Sequence, residues 1–128
     1  QEYCEVLNRI RFFVSADVGM GEYMIKNFEA MACGCVLLAY DQGEAENTAL
    51  GFRDMHNIVL YRSVSELQEK LALLRADQGL TERISETGRR LAEQMYGFDQ
   101  IGRKIAKAMV PPLRAPERRG GWLSWLGL

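Results

Sequence analysis

The sequence predicts an α/β domain, a partial parallel sheet flanked by helices, and three observations carry that prediction. Short runs rich in β-formers, at 11–15, 35–40 and 57–61, alternate with helical patterns. The runs at 35–40 and 57–61 are almost wholly apolar, as expected of parallel strands covered on both faces. Between the first two runs lies a helix over 22–33 that Gly34 can close, since glycine is free to take positive φ.

In chain order, Tyr3, Val6, Leu7 and Ile10 recur at helical spacing, so residues 2–9 read as the end of a helix. Residues 11–15 form the first strand, and 16–21 a loop. Helix 22–33 has an apolar side, Met24, Ile25, Phe28, Met31 and Ala32, and a polar side, Glu22, Lys26 and Glu29, whose charges pair along the helix. Its first turn follows Gly19 and Gly21 and offers free backbone N–H groups, a ready anion site. After strand 35–40 the turn-formers Asp41, Gly43, Asn47, Gly51, Asp54 and Asn57 mark irregular chain, with a short helix over 44–50 stopped by Gly51.

Strand 57–61 is followed by the capping-box pattern Ser63-Val-Ser-Glu66, which opens helix 64–76 with Val64, Leu67, Leu71 and Leu74 inward. Helix 81–96 aligns Ile84, Gly88, Leu91 and Met95. Gly88 in mid-helix costs about 1 kcal/mol against Ala, which close packing would explain. Asp99 is placed to cap a last helix running through Met109, and Pro111-Pro112 ends it. His56, the one histidine, reads as structural or solvent-facing. Met20, Met24, Met31 and Met55 read as core filler. Only two or three strands are visible, so further strands are expected before Gln1.

Composition narrows the function. The 128 residues suit one domain over 1–110 and a separate tail over 111–128. A net charge of −1 gives no signal for nucleic acid. Residues 1–110 hold 13 basic and 16 acidic side chains, whereas 111–128 hold 3 and 1. Cys4, Cys33 and Cys35 are too few for a disulfide framework and lack the second pair of a zinc site, so they read as reduced core thiols of a cytoplasmic protein. Nothing is long and apolar enough to span a membrane. The tail, with Arg114, Arg118 and Arg119 before Trp122, Leu123, Trp125, Leu126 and Leu128, suits the inner face of a cell membrane, or docking on protein.

The run Asn27-Phe28-Glu29-Ala30-Met31-Ala32-Cys33-Gly34, followed by an apolar strand and the loop Asp41-Gln42-Gly43-Glu44, resembles a known family. It is similar to the C-terminal, Rossmann-like half of GT-B glycosyltransferases, and within them to the group 1 retaining type. The likeness runs over about residues 10–110 and includes the helix pair with Gly88-Arg89-Arg90. It implies a nucleoside-diphosphate sugar as donor substrate, no further cofactor and no metal. Glu29 would bind the ribose hydroxyls. Amides of the run 21–25 (Gly21, Glu22, Tyr23, Met24 and Ile25), behind Gly19, would hold the diphosphate, with Lys26 near it, and Gly43 and Glu44 would approach the sugar. The sequence departs from the family at Gly21, where a glutamate is usual, and at Glu44, where a glycine is usual. The resemblance also implies a separate N-terminal acceptor domain that supplies the cations facing the leaving diphosphate, and a glycan or lipid-linked acceptor. The departures leave a second reading open, a degenerate nucleotide-sugar or protein-binding module without transfer.

Overall fold

The structure, a computed structural model, describes residues 2–19 and 21–110. Met20 and the segment 111–128, with its Pro111-Pro112 stop and its expected membrane contact, lie outside the described residues. The elements run α1 (Glu2–Leu7), β1 (Phe12–Ser15), α2 (Ile25–Ala32), β2 (Val36–Tyr40), α3 (Glu44–Leu50), β3 (Val59–Tyr61), α4 (Val64–Ala76), α5 (Gln78–Tyr96) and α6 (Phe98–Met109). The three strands form one parallel sheet with β2 central: Phe12 lies opposite Val36, Ser15 opposite Ala39, Leu38 opposite Val59 and Tyr40 opposite Tyr61.

Successive residues of a strand point to opposite faces, and here both faces are covered. Leu37, Ala39 and Leu60 pack on one side with Tyr23, Met31, Phe52 and Ala92. Val36, Leu38 and Val59 pack on the other with Leu74 and Ile84. That double burial is why β2 reads as a continuous apolar run. A smaller cluster of Leu7, Ala30 and Cys35 fixes α1 to the far end of α2.

Several expected boundaries hold. Helix α3 spans the predicted residues and ends on Gly51 at φ 70°. Ser63 Oγ accepts from the Glu66 amide at 3.1 Å, opening α4 where the capping pattern put it. The Glu66 carboxylate reaches one residue further back than a capping box requires, accepting from the Arg62 amide at 2.8 Å.

Other expectations are corrected. Helix α2 begins at Ile25, three residues later than read, because Gly21 has φ 72° and Met24 is extended. Its buried side is Tyr23 just before it, then Asn27, Ala30 and Met31, whereas Met24, Ile25 and Ala32 are exposed. The core stripe is thus rotated from the predicted one, because the helix packs through small Ala30 and polar Asn27. Val64 stands in solvent at the first position of α4. Helix α5 starts at Gln78, where Asp77 accepts from the Leu80 amide at 2.8 Å, and Ala92 rather than Met95 is buried near its end. There Tyr96 packs on Phe28, ring centroids 4.6 Å apart, and its hydroxyl donates to the Leu50 carbonyl at 2.6 Å.

Gly97, not Asp99, precedes α6, and no side chain caps that helix. Cys4 is exposed rather than a core thiol, while Cys35 is buried and donates to the Leu7 carbonyl. Of the methionines, Met31 is core, Met24 is exposed, and Met55 sits at φ 55° beside the second cluster. His56 is exposed, and its carbonyl accepts from Thr87 Oγ1.

Gly88 is required by close approach. A Cβ there would lie 2.7 Å from the Asn57 carbonyl oxygen and 3.5 Å from Met31 Cε. Gly88→Ala gains helix propensity of about 1 kcal/mol but forces α5 off the chain entering β3. We expect a net destabilisation of about 1–3 kcal/mol, read as a lower urea midpoint with an unchanged slope.

Candidate functional site

All three strands of the sheet end in polar residues at the same edge: Ser15 and Asp17 after β1, Asp41 after β2, Tyr61 and Arg62 at the end of β3. Open α/β sheets bind ligands outside the carboxyl ends of their strands. Here that edge is a continuous hydrogen-bonded surface.

Asp17 is its most buried acid. Oδ2 accepts from Ser15 Oγ at 2.6 Å and from Asn27 Nδ2 at 3.1 Å, and Oδ1 accepts from Lys26 Nζ at 2.9 Å. Burial alone raises its pKa, but the bonds from Ser15, Lys26 and Asn27, with the Lys26 charge, outweigh burial and hold the carboxyl below its ordinary range. The Asp17 carbonyl accepts from Gln42 Nε2 at 2.7 Å, and Gln42 Oε1 accepts from the Gly21 amide at 3.0 Å. The glycine loop is therefore clamped to the loop after β2. The Tyr61 hydroxyl donates to the Ser15 carbonyl at 2.8 Å, joining β3 to β1 across the sheet's end.

A second node lies at Asp41. Its carboxylate accepts from Asn47 Nδ2, the Gly43 amide and Arg62 Nε at 2.8, 2.9 and 2.8 Å. Burial opposes ionisation there too, and those donors again win, so the carboxyl is held low. Asn47 Oδ1 accepts from the Tyr23 hydroxyl at 2.5 Å, linking this node to the chain before α2. Burial, with Asp41 and Glu46 nearby, pushes the Tyr23 phenol up to about 12, so it remains a donor.

The structure separates the predicted site residues into two groups. Gly19 and Gly21, at φ 76° and 72°, leave open space where a Cβ would stand, so the loop needs glycine for its backbone angles. Lys26 is at the first turn of α2, and Glu29 is one turn on, exposed, accepting from the Tyr3 hydroxyl at 3.2 Å. Met24 precedes α2 with no side-chain cap. Glu22 lies in the loop rather than on the helix, so it cannot pair with Lys26 along a helix face. Lys26 pairs with Asp17 instead. The Gly21 amide is engaged by Gln42. Gly43, at φ 107°, and exposed Glu44 form the start of α3 across the same edge.

A hollow of about 250 Å³ lies beside Asp41, lined by Asp54, Tyr61, Arg62, Glu66 and Lys70. Two larger ones lie at α5, beside His56 and beside Arg11. None of the three is lined by residues 19–29, so the start of α2 faces outward rather than into one of these hollows.

Sequence reasoning passed over Asp17, Ser15, Tyr23, Asn47 and Arg62. The available signal was position, since Ser15, Asp17, Asp41 and Arg62 all fall at or just after strand ends. Asn27 Oδ1 is buried without a partner among the described residues, beside the Asp17 carboxylate that its amide nitrogen serves. Among the described residues no group of three or more His, Cys, Asp or Glu is arranged to hold a metal ion.

A family model for glycosyl transferase-like proteins matches residues 1–107. No curated protein and no solved structure matches the chain.

Asp17 supplies a pH test. Its folded pKa lies below the unfolded one, so its contribution to stability is full above about pH 4 and is lost as pH falls through the folded value. Asp17→Asn keeps the shape and removes the charge. We expect the variant to be less stable than the parent by about 1–3 kcal/mol near neutral pH. That gap should narrow as pH drops below about 4, as followed by urea midpoints across the acid range.

Proposed function

The chain belongs to the glycosyl transferase-like family, and from that premise we propose that this domain is the donor-binding part of a glycosyltransferase. On this reading it has GT-B architecture of the group 1 retaining type and binds a nucleoside-diphosphate sugar. It works with a separate acceptor-binding domain on a glycan or lipid-linked acceptor.

The arrangement at α2 carries the reading. Its amino end has no side-chain cap, and Lys26 in the first turn is half-exposed. Glu29 stands three residues beyond Lys26, exposed, roughly 4.5 Å further along the axis. Backbone amides and a cation at a helix start suit a diphosphate. A carboxylate one turn away suits the cis-diol of a ribose, to which it can accept two hydrogen bonds. Lys26 has three N–H donors, so it can keep Asp17 and still donate to a phosphate oxygen. The Gly21 amide is available only if Gln42 swings away. We therefore assign phosphate contact chiefly to the amides of Ile25 and Lys26. Gly43 and Glu44, across the edge, would meet the sugar.

The test is titration of uridine and guanosine diphosphates and their sugars, followed residue by residue by NMR. Shifts should cluster at 19–29 and 41–45. Glu29→Gln should weaken nucleotide binding by about tenfold or more without moving the unfolding midpoint, because the side chain is exposed. Shifts confined to other surfaces, or none at saturating nucleotide, would sink the donor reading.

A further inference from the structure

The two halves of the candidate donor site come from different loops, and one side chain spans them. Residues 19–26 follow β1, whereas Gly43 and Glu44 follow β2. Gln42, half-buried, stands directly before Gly43. Its Oε1 accepts from the Gly21 amide at 3.0 Å, and its Nε2 donates to the Asp17 carbonyl at 2.7 Å. The main chain behind it is held separately. The Gln42 amide donates to the Tyr23 hydroxyl at 3.3 Å, and the neighbouring Asp41 carboxylate accepts from the Gly43 amide and Asn47 Nδ2. A long, flexible side chain is thus pinned at its root and at both atoms of its tip.

The order of donor and acceptor decides between a stopper and a strut. A phosphate oxygen could take the Gly21 N–H from Oε1, since both are acceptors. It could not serve the Asp17 carbonyl, which needs a donor and would be left facing an anion. Displacement by an anion would therefore exchange one bond and orphan the other. A carboxamide satisfies both ends at once, accepting with one atom and donating with the other. The strut is consistent with phosphate contact lying at Ile25 and Lys26 rather than at Gly21.

We propose that Gln42 is a positioning residue for the donor sugar: it sets the gap between the start of α2 and the loop carrying Gly43 and Glu44. This inference rests on the donor-binding reading of the site. On that reading the nucleoside and diphosphate meet α2 alone, through Glu29, Lys26 and the helix amides, so they do not sense the gap. The sugar reaches across from the diphosphate to Gly43 and Glu44, so it does. Gly21 at φ 72° is bonded to the tip of the strut, and Gly43 at φ 107° follows its root. Glycine is conformationally permissive, and a binding site has to be held to within about 0.5 Å. A tether between two glycine-bearing loops supplies that.

The experiment compares the 128-residue chain with Gln42→Met, which keeps the length of the side chain and removes both bonds. The probes are uridine diphosphate and UDP-glucose, and guanosine diphosphate and GDP-mannose, titrated by NMR. In the free variant the Gly21 amide should exchange with water several-fold faster. Affinity for the bare diphosphates should stay within about twofold, whereas affinity for the nucleotide sugars should fall about tenfold. The unfolding midpoint should move little, because one bond is exposed and the other only partly buried. Gln42→Asn, one methylene too short to reach both ends, should act in the same direction. A general lesion would weaken both ligand classes together, and that result overturns the proposal. So does tighter diphosphate binding by Gln42→Met, which would make Gln42 a plug over the Gly21 amide, or an unmoved Gly21 exchange rate. If the parent binds nucleotide at 19–29 and the ratio of the two affinities is unchanged in the variant, the proposal fails and the donor reading stands. If the parent binds no nucleotide there, both fall.

Discussion

Asp17 draws three donors onto two oxygens at the point where β1 leaves the sheet, and the geometry of the whole edge follows from that. Ser15 comes from the strand itself, and Lys26 and Asn27 come from the first turn of α2. The carboxylate therefore fixes the distance and rotation between strand and helix. A buried carboxylate with donors missing would be costly, and here every bond it accepts comes from one of those two elements. Once the pair is locked, the intervening loop has little freedom. It must turn through Gly19 and Gly21 at positive φ, where only glycine passes without strain.

Tyr23 applies the second constraint. Its ring is buried edge-on against Phe52, and its hydroxyl is shared with Asn47 and the Gln42 amide. A tyrosine held this way cannot also join a helical turn that continues into Lys26 and Asn27, so the chain stays extended to Met24. The helix then starts on a residue with no capping atom. The uncapped start of α2 is thus a by-product of packing Tyr23, not of a weak helix signal. A site of this kind is held by its surroundings, as preorganised binding needs.

The fold was legible in the sequence because both its signals are strong locally. A strand buried on both faces has no polar residue to hide, as at Val36–Ala39, and Gly51 and Ser63 mark their boundaries by backbone and side-chain chemistry alone. Boundaries failed where a long-range contact overruled the local pattern. The start of α2 was set by Tyr23 with Asn47, twenty-four positions apart in the chain. The tilt of its buried face was set by Asn27, a polar side chain at 0% exposure that no periodicity argument would place inward. Within the candidate site, the local motif singled out Glu29, Lys26 and the glycines, but not the pairing of Lys26 with Asp17. Asp17 was not, since a lone Asp in a loop looks like a turn residue until its three donors are in view.

The charge balance at this edge decides how an anion can be held there. Asp17 and Asp41 are each matched by a cation in the same edge, Lys26 at 2.9 Å and Arg62 at 2.7 Å. Two such pairs present little net field, so long-range attraction of a diphosphate is weak from this domain alone. What remains is short-range: unshared N–H groups of Lys26, the helix amides and the carboxylate of Glu29. Those interactions orient a ligand better than they attract it. On the donor-binding reading, recognition of the nucleoside is local to α2, whereas the charge that draws in the diphosphate and stabilises its departure has to come from cations outside this edge. On that reading, the pairing of Lys26 with Asp17 argues for a division of labour in which this domain would set the pose and a facing surface would supply the electrostatic work.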